Sequence, residues 1–445
     1  MNYILIVLYT IALLFFIQKW KLFAFEGINR KWFQVVLLLK ISAGLGLYWI
    51  YTEYYTVRAN ADIFKYFDDS TTLYNSFWTK PGDFFQMMLG IDCEGDHFRT
   101  TYYDNMFTWF KSFDSQIFNN NRTMIRLNAA IRFISNGSYH IHALIMSFLS
   151  MVGIALIMKT FKRTVEKFKG VSVILIFLLP STLIWTSGIL KGALLILWVG
   201  LLLYSFSRLK NSARSTKVRI IYGLLIPIML FFIFTTKYYI LIAGAPIGIA
   251  ALLSFIWKGK SLLRYGIGIG ICLILFLITS KMESDFNPSG LIMSKHNNMV
   301  QHDLAQHAGS AFDIGSYQLE DPQSNAWSLI KSSPNAFYNT FFQPTPSNIS
   351  NPMALLAFFE NIFILLFLIV CCIFIRKPTN WPMVLGISIF VIVLYVILGW
   401  TTSNAGAIVR YKVPALPFII ILGLELINRE KFFSVFKFLK KSNPS

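Results

Sequence analysis

This chain is short of charge. Of its 445 residues only 14% are Asp, Glu, Lys or Arg, while 55% are hydrophobic and 16% aromatic. That is too little polar surface to clothe the two or three soluble domains such a length would otherwise allow. Acids are scarcer than bases, 21 against 40. Cysteine is nearly absent: of four residues, Cys272, Cys371 and Cys372 fall inside apolar runs and only Cys93 is expected on the outer aqueous face, so no disulfide framework and no zinc spacing can be assembled. What the chain has instead is long apolar runs such as Ile4–Ile17 and Val171–Leu179. They point to an integral membrane protein and exclude secreted, fibrous and disordered classes.

Eleven spans are expected, at 3–17, 33–52, 138–158, 171–189, 192–207, 220–236, 240–257, 265–280, 353–375, 382–400 and 406–427, each near the ~20 residues a bilayer requires. Alternate connections then hold 24 of the 40 basic residues but only three acids, Glu26, Glu166 and Glu430. By the positive-inside rule that side is cytoplasmic. The expected fold is all-α, a polytopic transmembrane helix bundle of about 11 helices forming a single integral membrane domain over 1–445. Its amino terminus lies outside, its basic tail at 428–445 is cytoplasmic, and its home is the cell inner (plasma) membrane. The first helix has no basic residue before it and a cluster after it, the reverse of a secretory signal, so it is expected to be retained. The basic balance reflects topology, and nucleic acid is not an expected partner.

Two outer connections are too long to be turns, 53–137 and 281–352. The first carries 19 aromatic residues in 85, which predicts that it lies on the membrane surface. Along Asp62–Trp78 the 100° helical step puts Phe64, Phe67, Tyr74 and Trp78 on one face and Asp62, Tyr66 and Asp69 on the opposite, open one, an amphipathic interfacial helix. Residues 124–134 repeat the pattern, with Met124, Leu127, Ile131 and Ile134 in a stripe and Arg126 and Arg132 off it. The second connection, rich in Ser, Asn and Gln and broken by Pro334, Pro344, Pro346 and Pro352, reads as a mobile flap. His296, His302 and His307 have spacings that fit no zinc motif and read as solvated. Asp92, Glu94 and Asp96 alternate as oxygen ligands for a divalent cation would, although a solvated acidic turn is the simpler reading.

Bases at the outer ends of spans are costly unless paired. Lys191 follows Trp185-Thr186-Ser187-Gly188, Lys237 follows Thr235-Thr236, and Arg410 and Lys412 precede Val413-Pro414. Each alone reads as a snorkelling anchor. Together on the side poor in bases they suit a lipid phosphate, which Arg410 can hold bidentately and the lysines as point charges.

With Asn60-Ala61-Asp62-Ile63-Phe64-Lys65-Tyr66 in an early outer loop, the segment Pro180–Lys191, and Arg410-Tyr411-Lys412-Val413-Pro414 near the end, the chain resembles the GT-C class of multispanning glycosyltransferases. The resemblance covers most of the chain in layout but only these motifs in residues. It implies that Asp62 is the catalytic carboxylate acting on an acceptor hydroxyl, with Asp69 and Tyr66 beside it, and that Lys191, Lys237, Arg410 and Lys412 bind a polyprenyl-phosphate-linked sugar. A glycan or lipid acceptor and the surrounding membrane lipids are the other implied partners. The acidic loop follows the second span where the family has it after the first, so an extra amino-terminal helix is required. A weaker likeness to O-antigen and exopolysaccharide polymerases rests on Arg126 and Gly137, a spacing that chance alone supplies. The alternative from another class is a transporter or flippase of lipid-linked sugar; against it, apart from Arg410 and Lys412 at the outer end of the last span, the only acids and bases within the expected spans are Lys40, Glu360 and Glu425, with His140 and His142 in the third.

Overall fold

The computed structural model describes residues 2–110, 119–211, 216–254, 256–282, 287–307, 326–349 and 351–435. In chain order its helices are α1 (Asn2–Lys19), α2 (Lys31–Trp49), α3 (Asp62–Thr79), α4 (Pro81–Leu89), α5 (Asp96–Thr101), α6 (Asn121–Ser135), α7 (Tyr139–Thr160), α8 (Lys162–Phe168), α9 (Gly170–Phe177), α10 (Pro180–Trp185) and α11 (Lys191–Asn211). There follow α12 (Thr216–Lys237), α13 (Tyr239–Leu253), α14 (Ser261–Thr279), α15 (Pro288–His307), α16 (Ala326–Lys331), α17 (Ser333–Phe342), α18 (Pro352–Ile373), α19 (Trp381–Thr401), α20 (Ala405–Tyr411), α21 (Leu416–Leu426) and α22 (Arg429–Val435). Among the described residues there is no strand, only isolated bridges pairing Phe25 with Ile28 and Ile375 with Ile427.

Eight helical stretches among the described residues are long and apolar enough to cross a bilayer: Lys31–Tyr54, Tyr139–Thr160, Lys191–Leu209, Thr216–Lys237, Ser261–Thr279, Pro352–Ile373, Trp381–Thr401 and Ala405–Leu426. The chain is a multi-pass, all-helical membrane protein. Tyr3–Lys19 and Tyr239–Leu253 are apolar but shorter. The span expected at 171–189 is not one helix: α9 stops at Phe177, Pro180 opens α10, and Thr186–Leu190 are not helical. Pro180 explains the first break, since it has no N–H to continue the ladder and its ring disfavours helical backbone at the residue before it. The span expected at 406–427 is also interrupted, between α20 and α21, around Pro414.

The chain forms two compact units, one of Met1–Thr160 with Leu183–Lys237 and the other of Phe161–Thr182 with Tyr238–Ser445. In the first, α7 packs along α11, α11 along α12, α2 on α7, and α3 on α6. The α7–α11 contact is made by glycines. A Cβ added to Gly153 would stand 2.6 Å from the Ile196 carbonyl oxygen, and one added to Gly200 would collide with the Gly153 carbonyl. Small residues let two backbones close in lipid, where no hydrophobic force drives helices together.

In the second unit α19 is the hub, flanked by α13, α17 and α21. The connection 281–352, expected as a flap, contributes helices α15, α16 and α17 to this unit. Within its described part, α17 docks on α19, and a Cβ on Gly399 would run into the Ala336 carbonyl. Leu329 and Ala336 are buried with Met293 and Trp400, so a few apolar residues at helical spacing outweigh the polar composition around them. His296 is buried rather than solvated. The side chains of His302 and His307, residues 308–325 and the tail beyond Val435 lie outside the described residues. Cys93 is likewise buried, not open to water, and the Tyr103 hydroxyl donates to its carbonyl at 2.7 Å.

Replacing Gly200 by Leu should force α7 and α11 apart and cost about 1–3 kcal/mol, as overpacking generally does. Gly223→Ala serves as control, because nothing lies within 4 Å of its added carbon. Thermal unfolding of the purified protein should fall clearly for the first and hardly for the second.

Candidate functional site

Helix α3 begins at Asp62 after an extended Ala61, and Asp62 is half-buried in its first turn. The helix is amphipathic, but its faces differ from those expected. Ile63, Phe64, Tyr66, Phe67, Asp69, Ser70, Leu73 and Ser76 are buried, whereas Trp78 is 65% exposed. Tyr66 and Asp69 therefore do not lie on an open side. A second segment, residues 107–109 together with α6, covers them, and helical periodicity within α3 carries no information about that partner.

Asp69 holds this second segment in place. Its carboxylate accepts from Phe107 N at 2.7 Å, Thr108 N at 2.8 Å and Thr108 Oγ1 at 2.7 Å. Burial pushes its pKa up, and the three hydrogen bonds oppose that. Thr108 passes the connection on, its carbonyl accepting from Asn121 Nδ2 at 3.3 Å. Asn121 Oδ1 receives the Tyr66 hydroxyl at 3.3 Å and the Lys191 ammonium. Lys191, at the first position of α11, also donates to Asn120 Oδ1 at 2.6 Å and stands 5.2 Å from the centre of the Tyr66 ring. Asn120 Nδ2 in turn donates to the Thr236 carbonyl at 3.0 Å, the residue before Lys237, which ends α12.

One polar network thus joins Tyr66, Asp69 and Lys191, sets Asp62 one helical turn from Tyr66, and fastens the end of α12 beside Lys237. Arg410 and Lys412 belong to the second unit. Arg410 is half-buried in the last turn of α20, and Lys412 is 1% exposed with its ammonium on Asn361 Oδ1.

Residues that sequence reasoning passed over do much of the positioning. Asn120 and Asn121 look like ordinary polar residues ahead of a helix, and only the fold reveals that Lys191, some seventy residues on, is their partner. Arg132, expected off the apolar stripe of α6, is buried: Nε donates to Ser70 Oγ at 2.7 Å, a terminal nitrogen to the Phe67 carbonyl at 2.5 Å, and the guanidinium lies 4.1 Å from the Phe67 ring centre. Burial pushes it down to about 10, so it remains cationic at neutral pH. Ile134, expected in the stripe, is exposed. Of the alternating acids, Glu94 is taken by Arg122, which also lies over Trp109. Among the described residues no group of three or more His, Cys, Asp or Glu is placed to hold a metal ion.

Comparison with protein-family models, characterised proteins and solved structures finds no significant match to this chain. The site must be read from its own geometry.

Beneath the network lies the broken segment 183–190. Ser150 Oγ donates to the Thr186 carbonyl at 2.9 Å and Ser147 Oγ to the Ser187 carbonyl at 3.0 Å, while Lys40 Nζ, 1% exposed on α2, donates to Thr186 Oγ1. Gly44 lets α2 approach, since a Cβ there would stand 2.5 Å from the Ser187 carbonyl oxygen. Non-helical backbone at membrane depth survives only when its polar groups are satisfied by protein in this way.

Two expectations follow. Asp69→Ala leaves two backbone amides and a hydroxyl without their acceptor, each costing about 1–3 kcal/mol if it stays buried. Hydrogen exchange at Phe107 and Thr108 should then accelerate far more than in the α7–α11 pair. Near α5, burial acts to raise the pKa of Asp83, but hydrogen bonds from His97 and Tyr102, each 2.8 Å, hold it net below the usual carboxylate range. A depressed carboxylate contributes stability above the unfolded value of about 3.9 and loses it as pH falls through its folded value. Acidification below pH about 4 should loosen residues 81–102 in wild type, and Asp83→Asn should flatten that pH dependence when exchange is followed by mass spectrometry.

Proposed function

We propose that this protein is a membrane glycosyltransferase that moves a sugar from a polyprenyl-phosphate-linked donor to a cell-surface glycan or lipid acceptor. In this reading the chain crosses the plasma membrane about eleven times, amino terminus outside, with α3 to α6 on the extracytoplasmic face. The observation that carries it is the Lys191 ammonium lying against the Tyr66 ring, one turn from Asp62. An acid on an aqueous segment and a cation at a span end thereby share one neighbourhood, which is the pairing that transfer from a lipid phosphate requires.

Asp62 takes the proton of the acceptor hydroxyl as its oxygen bonds to the anomeric carbon, and the bond from that carbon to the phosphate oxygen breaks. Lys191 and Lys237 stabilise the charge that develops on the departing lipid phosphate. The proton then passes from Asp62 to water. Asn120 and Asn121 occupy the Lys191 ammonium and yield it to the phosphate. Arg410 and Lys412, in the second unit, are not required by these steps. Polymerisation of lipid-linked repeats is the same chemistry with a longer acceptor.

A second reading, transport of the lipid-linked sugar, gains from the interior. Lys412 is buried inside the stretch Ala405–Leu426, adding to Lys40, Glu360 and Glu425, and two spans are interrupted. Buried ionisable groups beside discontinuous helices are features of transporters.

With purified protein and a radiolabelled polyprenyl-phosphate sugar, Asp62→Asn should lower transfer at least a hundredfold, within the usual range for a general base, while donor binding persists. Lys191→Ala should weaken donor binding. Movement of the donor across vesicles without any glycosidic product would replace the transferase reading with the transporter.

A further inference from the structure

A buried acid and a buried base stand close to one another in the second unit without touching. Glu360, on α18, is 2% exposed, and Lys412, after α20, is 1% exposed. Glu360 Oε2 accepts from Ser181 N at 2.6 Å, but Oε1 has no hydrogen-bond partner. The Lys412 ammonium makes one hydrogen bond, to Asn361 Oδ1. Asn361 follows Glu360 directly on α18, so the two groups are neighbours, yet among the described residues no salt bridge within 4.0 Å joins them. Asn361 cannot turn to help, because its amide nitrogen is engaged by the carbonyls of Phe342 at 3.2 Å and Gln343 at 2.9 Å.

Inside apolar helices this arrangement is costly, since an unmatched charged group forfeits hydrogen bonds that lipid cannot replace. Closing the pair into a direct salt bridge would use both groups, and the fixed Ser181 and Asn361 contacts hold them from it. The remaining chemistry is specific. Oε1 offers an acceptor and Lys412 offers two further donors, so the complementary group carries an O–H to donate and an oxygen to accept. A phosphate ester bearing neighbouring hydroxyls provides both.

We propose that Glu360 and Lys412 form a binding site within the second unit for the hydroxyl-bearing phosphate headgroup of a lipid, phosphate oxygen on Lys412 and hydroxyl on Glu360. Phe359, Phe363 and Leu366 of the same helix are exposed, so Glu360 lies on the inward face of a helix whose other face is open, and entry needs side chains of α18 to move. Two sources carry this chemistry, a glycerol-headgroup phospholipid and the glycosyl phosphate of a lipid-linked sugar. The second rests on the transferase reading above; the first does not.

The test is native mass spectrometry of the full chain with lipids added in matched pairs. One arm compares phosphatidylglycerol with phosphatidylmethanol, the same phosphate diester without an alcohol hydroxyl, and with phosphatidic acid as the bare phosphate. The other compares a glucosyl polyprenyl phosphate with the bare polyprenyl phosphate. The expected result is about a tenfold or greater preference for the hydroxylated member of at least one pair, the scale of one hydrogen bond to a charged group. Glu360→Gln, which replaces the Oε1 acceptor with a donor, should abolish the preference while binding of the bare phosphate persists. Because removing one charge of a buried pair is destabilising, the neutral double variant Glu360→Gln with Lys412→Met is measured too; it should recover thermal stability without recovering the preference. A preference confined to phosphatidylglycerol supports the site as a phospholipid site, whatever becomes of the transferase. Equal binding within both pairs, or a preference that survives Glu360→Gln, overturns the proposal.

Discussion

Inside a bilayer the only hydrogen-bonding solvent available to a protein is the protein itself, and this constraint organises the chain. Where the backbone leaves the helix at Thr186–Leu190, serines of α7 and the lysine of α2 supply what the missing ladder does not. Ser147, Ser150 and Lys40 are costly residues in apolar helices. Their presence is intelligible only together with the interruption they serve. Gly44 belongs to the same solution, letting α2 approach the Ser187 carbonyl closely enough for the substitute to reach.

A similar logic governs the segment built from α3 to α6. Its aromatic content made surface attachment an obvious reading, but Asp69 and Arg132 are turned inward, each satisfied by several protein groups. The segment is a small packed body with polar cross-links. Rigidity of that kind is what a catalytic carboxylate at Asp62 would need, since a general base acts only when held within hydrogen-bond reach of its proton.

Residue pattern and fold part company at particular places. The spans at 139–160 and 381–401 were legible because twenty apolar residues in lipid have one economical conformation. The break in 171–189 was not read, although Pro180 announces it, because hydropathy averages over the very residues that interrupt. In the second long connection the polar composition hides Leu329 and Ala336, whose burial with Trp400 depends on where α19 ends. For the candidate site, the pattern singled out Asp62 and Lys191 as residue types suited to the chemistry, but it did not indicate the contact between Tyr66 and Lys191. Nor did it indicate the asparagines that mediate it, since nothing local marks Asn120 or Asn121 as a lysine's partners.

The amino-acid sequence by itself determined that this is an all-helical membrane protein and located most of its long apolar helices, because hydrophobic transfer and backbone hydrogen bonding act locally and leave their signature in composition and run length. Tertiary structure decided which polar residues face each other: Lys191 with Asn120 and Asn121, Lys40 with Thr186, Glu360 with Ser181. Those pairings join residues tens to nearly two hundred positions apart, and hydrogen bonds of a few ångströms are specified only once the helices have packed.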